Sequence, residues 1–146
     1  MAKARPTLKK TAFLDSSVLF TATNSPSGGS SKLFTLKSIE LITSKFVLVE
    51  VERNVRKKLQ SHHLERFFML ASKLTILKHM PNDKLISKAK KVIVEKDAVI
   101  LAEAKNTKTN FLVTLDRKHF LKPSVEKYLK PQKVLTPKML LEKINN

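Results

Sequence analysis

Lys96-Asp97-Ala98-Val99-Ile100-Leu101-Ala102-Glu103-Ala104, continued by Phe111-Leu112-Val113-Thr114-Leu115-Asp116, is the stretch whose reading decides the fold. Ile100, Leu101 and Ala104 are apolar at helical spacing, whereas the run from Phe111 is too short for a helix and is closed by Asp-Arg-Lys. The stretch therefore predicts helix, turn, strand, with Asp97 opening the helix and Asp116 at the C-terminal end of the strand. Open α/β sheets carry their ligands at that end. Near the N-terminus, Thr11-Ala12-Phe13-Leu14 is also strand-like and stops at Asp15-Ser16-Ser17, so two strands end in aspartate.

Working outward, Ser25-Pro26-Ser27-Gly28-Gly29-Ser30 holds both glycines and marks a loop. Ser30 or Ser31 can cap a helix over 32–37, and 40–43 reads as a strand. Ser44 then caps a longer helix to about residue 60, because Leu48, Val51, Val55 and Leu59 recur at spacings of three and four. An amphipathic helix over 62–74 leads into a strand at 75–77, Asp83 is placed to cap a helix over 85–92, and 117–121 is a loop with a partial helical turn. A last strand at 134–135 precedes Pro137, the first residue of a C-terminal helix over 138–144. Such alternation implies a parallel sheet covered by helices on both faces.

A chain of 146 residues with 42% apolar content suits one core, so a single domain over 1–146 is expected, with 1–10 a basic, flexible N-terminal segment. The absence of cysteine excludes disulfides, a zinc ribbon and thiol catalysis, and fits a reducing compartment. The apolar run after the basic N-terminus is interrupted at Asp15 before it could serve as a signal-peptide core. No span approaches the roughly 20 apolar residues of a membrane helix, so a soluble cytoplasmic protein without membrane partners is expected. The 29 Lys plus Arg against 12 Asp plus Glu give a net charge of +17, which favours RNA or DNA as partner over a merely solvated lysine surface.

In so basic a chain the few acids matter. Asp15 and Asp116 converge at one sheet edge if their strands are neighbours, and clustered carboxylates repel unless a cation holds them. Mg²⁺ or Mn²⁺ suits such hard oxygen ligands and can activate a water beside a scissile phosphate. Each acid also has a structural reading. Asp97 could cap its helix, and Asp15 and Asp116 could be turn residues. Glu50 borders an apolar face with Arg53 at i+3, and Glu52 has Arg56 at i+4 in the favourable order, so periodicity alone does not separate the two glutamates.

Taken together, Phe13-Leu14-Asp15-Ser16-Ser17-Val18-Leu19, the Ser/Gly loop, Thr43-Ser44 with Val49-Glu50-Val51-Glu52-Arg53, Lys96-Asp97-Ala98-Val99-Ile100-Leu101-Ala102, and Leu112-Val113-Thr114-Leu115-Asp116-Arg117-Lys118-His119-Phe120 resemble PIN domains. The likeness is closest to the stand-alone prokaryotic kind that includes VapC-type toxins. It implies a three-layer α/β/α domain with a central parallel sheet and a metal-dependent ribonuclease site. By position, Asp15, Glu50, Asp97 and Asp116 match the family's four acids, and register with Glu-x-x-Arg selects Glu50 over Glu52. Ser17 and Thr114 match the small hydroxyl residues that orient those carboxylates. Arg117 and Lys118 stand where some members carry a further acid, which speaks against a second metal ion.

The expected activity is hydrolysis of single-stranded or loop RNA by a water activated at Mg²⁺ or Mn²⁺, with no His or Cys nucleophile required. Arg53, Lys57, Lys58, Arg117 and Lys118 are expected to grip the phosphate backbone. The resemblance also implies a toxin of a toxin-antitoxin pair, a cognate antitoxin as partner and a homodimer. The rival is a PIN-like domain that binds nucleic acid or protein without cleaving. His62, His63 and His79 are expected on the surface, His119 near the site in a packing or substrate-side role, and the aromatic residues mostly in the core.

Overall fold

The computed structural model describes residues 9–145. The first eight residues of the basic N-terminal segment lie outside them, and Lys10 already belongs to a strand. Five parallel strands form one sheet: β1 (Lys10–Leu14), β2 (Ile39–Ser44), β3 (Thr75–Leu77), β4 (Phe111–Val113) and β5 (Lys133–Leu135), in the order β3-β2-β1-β4-β5. Helices cover both faces, as the alternation predicted. The helices are α1 (Ser16–Asn24), α2 (Gly29–Leu33), α3 (Lys45–Lys58), α4 (Ser61–Ala71), α5 (Asp83–Lys90), α6 (Glu95–Thr107), α7 (Pro123–Leu129) and α8 (Pro137–Asn145). α1 packs on α2, α3 and α4, and α8 on α2, while α5 and α6 form a separate pair. No helix among the described residues is long and apolar enough to cross a membrane.

β1 occupies the centre because Ala12, Phe13 and Leu14 are fully buried, as a strand covered on both faces must be. It pairs with β2 on one side (Ala12 with Leu41) and with β4 on the other (Leu14 with Val113). After β1 the chain goes first to β2 and later returns to the opposite side at β4, so the strand order reverses at β1. A crevice opens at such a reversal, beyond the carboxyl ends of the strands.

Local sequence accounts for most boundaries. Ser44 caps α3, its hydroxyl accepting from Val47 N at 3.1 Å, and Val47, Val51 and Val55 bury one stripe. Pro137 starts α8, where its missing N–H costs nothing.

Some expectations are corrected. α5 is capped by Asn82, whose Oδ1 accepts from Leu85 N at 2.9 Å, and Asp83 is the first helical residue. α6 begins at Glu95 after Val94, so Asp97 lies within its first turn and is not its cap. The helix expected over 32–37 is α2, which starts earlier because the Ser31 hydroxyl turns inward to the Ala22 and Ser25 carbonyls. α1 and α7 have no counterpart in the sequence reading.

Candidate active site

The end of β1 and the turn after β4 build the first half of the crevice. The Asp15 amide donates to Val113 O at 3.0 Å, and Asp15 then leaves the strand as the cap of α1, with Oδ1 accepting from Ser16 N at 2.8 Å. Its other oxygen accepts from the Ser17 and Thr114 hydroxyls, both at 2.8 Å. The same hydroxyls receive the backbone of the β4 turn, Ser17 from Leu115 N and Thr114 from Asp116 N, both at 3.0 Å. Ser17 and Thr114 thus tie Asp15 to the loop that carries Asp116. Burial pushes the Asp15 carboxyl above the usual range, against the lowering effect of the hydrogen bonds from Ser17, Thr114 and Ser16.

α6 brings Asp97 to the same place. Burial raises its pKa too, and the nearby Asp15 raises it further, while Lys96 acts in the opposite direction. Its Oδ2 is buried yet makes no hydrogen bond among the described residues. The His119 ring Nδ1 lies 3.4 Å from that oxygen, but its closer contact is Asp116 Oδ2 at 3.0 Å, while the His119 amide donates to Asp116 Oδ1 at 2.9 Å. A carboxylate only accepts, so the Nδ1 proton faces Asp116. Burial alone would raise the Asp116 pKa, but these bonds from His119 outweigh it and hold the carboxyl below the ordinary value.

The third wall is α3. Glu50, Asn54 and Lys58, at successive four-residue spacings, line a cleft of about 300 Å³ together with Asp15, Ser16, Ser17, Phe20, Lys96, Asp97 and Asp116. The structure thus gathers all four acids singled out in the sequence, and places Ser17 and Thr114 directly on Asp15. Glu52 points elsewhere and pairs with Arg56 at 3.1 Å on the exposed side of α3. Of the cations expected to hold RNA, Lys58 lines the cleft, whereas Arg53, Lys57, Arg117 and Lys118 are exposed outside its lining.

Can these residues hold a metal? Asp97, Asp116 and His119 each offer a ligand atom, all within 4.8 Å of one another, and Asp15 lines the same cleft. Three carboxylates share one place, one of their buried oxygens lacks a donor, and two of their pKa values are raised by burial and by one another. That donor set fits a hard divalent cation, which would satisfy the orphaned oxygen and offset the repulsion. Sequence reasoning missed three neighbours of the acids: Asn54, Lys96, and the double contact of His119. The four-residue step from Glu50 could have found Asn54. Nothing local marks His119 as a carboxylate partner.

The family model described as PIN domain matches residues 12–124. Among curated proteins, none matches the chain. Several solved structures share the fold. PAE2754 from Pyrobaculum aerophilum is 18% identical with a TM-score of 0.65, over 93% of this chain and 96% of that one. VapBC2 from Rickettsia felis, solved bound to a DNA fragment from its promoter, is 19% identical with a TM-score of 0.62, over 86% and 96%. VapC20 from Mycobacterium tuberculosis, described as a toxin cleaving the sarcin-ricin loop, is 15% identical with a TM-score of 0.56, over 73% and 91%.

Proposed function

The chain belongs to the PIN-domain family, and from that premise we propose that it is a divalent-metal-dependent ribonuclease acting on single-stranded RNA or exposed RNA loops. The carrying observation is that Asp15, Asp97 and Asp116 line one cleft that holds a buried Asp97 oxygen with no hydrogen-bond donor among the described residues, with Glu50 on the facing wall. In this reading Asp15, Asp97 and Asp116 hold Mg²⁺ or Mn²⁺, and Glu50 positions the ion or accepts a proton from the attacking water. The ion, when bound, supplies charge neutralisation at the scissile phosphate and acidifies a water.

The chain's own groups supply the rest. Ser17 and Thr114 fix the Asp15 carboxylate, His119 fixes that of Asp116, and Lys96 and Lys58 present positive charge to the phosphates on either side of the acids. No side chain needs to form a covalent bond to phosphorus. The neighbours with VapBC and VapC in their names support extending the reading to the toxin of a toxin-antitoxin pair held by a cognate antitoxin, and we include in the proposal a homodimer acting in the cytoplasm.

The test is incubation with a panel of RNAs in the presence and absence of Mn²⁺, with the cleaved ends mapped, alongside thermal unfolding in a Mn²⁺ titration. Cleavage that requires the ion, and a melting temperature that climbs with its concentration, are expected. A flat melting temperature with no cut RNA would instead support a PIN domain that binds without cleaving.

A further inference from the structure

Because every strand is parallel, the strand N-termini share one edge of the sheet, opposite the carboxylates. Lysine stands at or just before each of them: Lys10 opens β1, Lys37 precedes β2, Lys73 precedes β3, Lys108 precedes β4 and Lys133 opens β5, all exposed. The C-terminal turn of α8 adds Lys143 beside Lys10 in one hollow. Next to β5, a recess of about 350 Å³ is lined by Lys105, Lys108 and Lys130 over the buried side chains of Thr109 and Gln132.

Helix ends explain only part of this. A cation in the last turn of a helix answers the negative end of its dipole, which accounts for Lys143 on α8 and in part for Lys105 on α6, whose ammonium also donates to Tyr128 O. Lys10 and Lys133 are borne by strands and have no such partner. Glu40, Glu126 and Glu142 are the acids of this region, and none lies within ion-pair distance of a lysine among the described residues. Lys133 and Lys10 instead crowd Lys143 and lower its pKa, as neighbouring like charges do.

A row of cations set by strands about 4.8 Å apart, without an ion-pair partner among the described residues, suits a polymer with a charge on every unit. A phosphodiester chain is such a polymer, and an acidic peptide of mixed sequence is not. We propose that the N-terminal edge of the sheet is a second RNA-binding surface, which takes the backbone of a long RNA while the cleft at the opposite edge holds the segment to be cut. The surface is sequence-indifferent, since no aromatic side chain alternates with its lysines to stack bases. It rests on the reading of RNA as the substrate.

The experiment compares wild type with the K10Q/K133Q/K143Q protein, using single-stranded RNAs of ~20 and ~4 nucleotides, the shorter being unable to reach round from the cleft. For the longer RNA, the slope of log affinity against log salt should become shallower by about 2, three phosphates at ~0.7 each, and KM should rise several-fold at constant kcat. Cleavage of the shorter RNA should stay within about twofold of wild type, and K84Q/K88Q/K91Q, at exposed positions on α5 and just after it, should change the slope by less than about 1. An unchanged slope in the first variant, or an equal loss in the second, would overturn the proposal. So would an unchanged RNA slope accompanied by weaker binding of poly-L-glutamate, which would give the edge to an acidic polypeptide. Binding is read without cleavage, so a shallower slope in a protein that cuts no RNA retains this surface and rejects the nuclease reading alone.

Discussion

Asp15 is at once a helix cap, the acceptor of two hydroxyls and a buried carboxylate, so its replacement separates fold from chemistry. Asparagine keeps the cap, and its amide can donate to the Ser17 and Thr114 hydroxyls once these rotate. D15N, D97N and D116N should each cut metal-dependent cleavage by at least ~100-fold and abolish the Mn²⁺ effect on melting, while apo stability stays the same or rises by up to about 1 kcal/mol as repulsion is relieved. Unfolding of all three apo variants would make the acids structural. E50Q should impair cleavage severely, whereas E52Q should cost at most about 0.5 kcal/mol and little activity, since Glu52 is committed to an exposed pair with Arg56. The opposite ranking in steady-state kinetics would reverse the assignment. The acids were legible because carboxylates are scarce in a chain at +17 and two of them follow strand-like runs. His119 was placed near the site but not as the partner of Asp116, because only the folded turn brings its amide and ring onto that carboxylate three residues before it.

Elements were legible where their own residues carry the cap and the stripe. α3 shows both, in Ser44 and in the recurrence of Leu48, Val51, Val55 and Leu59, although the fully buried stripe is Val47, Val51 and Val55 and leaves Leu48 and Leu59 half-buried. α1 was hidden because Val18-Leu19-Phe20 after Asp15-Ser16-Ser17 is too short an apolar run to show a helical spacing, and α7 because Val125 and Leu129 are too few to establish a period. The cap of α5 was misplaced by one residue, since Asn82 and Asp83 are both good caps and only backbone geometry chooses between them. A glutamate that no local pattern singles out lies inside α6: Glu103 is buried, accepts from the Ser44 hydroxyl at 2.6 Å and so ties α6 to the start of α3. Burial pushes its pKa up to about 7, against the lowering effect of the Ser44 bond. The folded state therefore holds this proton more tightly than the unfolded chain, and the stability it contributes is lost as pH rises from about 4.5 through 7. E103Q keeps an acceptor for Ser44 and never ionises. Its stability should exceed that of wild type by about 2 kcal/mol at pH 8, and the gap should close near pH 5, as read by urea unfolding at the two pH values. A gap independent of pH would show that Glu103 is not the titrating group.

At the scale of the whole molecule, alternation of strands and helices announced a parallel sheet, but not the order of its strands, because order depends on where each crossover lands. The adjacency of β1 and β4 is the fact that joins Asp15 to Asp116, and it is a long-range one. The same geometry sorts charge: the acids collect at the carboxyl edge, and a column of polar side chains on α3 leads away from them. Glu50, Asn54 and Lys58 are spaced by four residues, so Lys58 stands about 12 Å along the helix from Glu50. On the proposed ribonuclease reading, that is on the order of two nucleotides of extended single strand, so the Lys58 ammonium would meet a phosphate near the one to be cut. Lys57 faces away from the cleft. K58Q should therefore raise KM for even a ~4-nucleotide RNA several-fold and make its salt slope shallower by about 0.7, with metal-dependent melting unchanged. K57Q should do neither. Equal effects from the two substitutions would mean that RNA responds to the overall field of the basic surface and not to a path along α3.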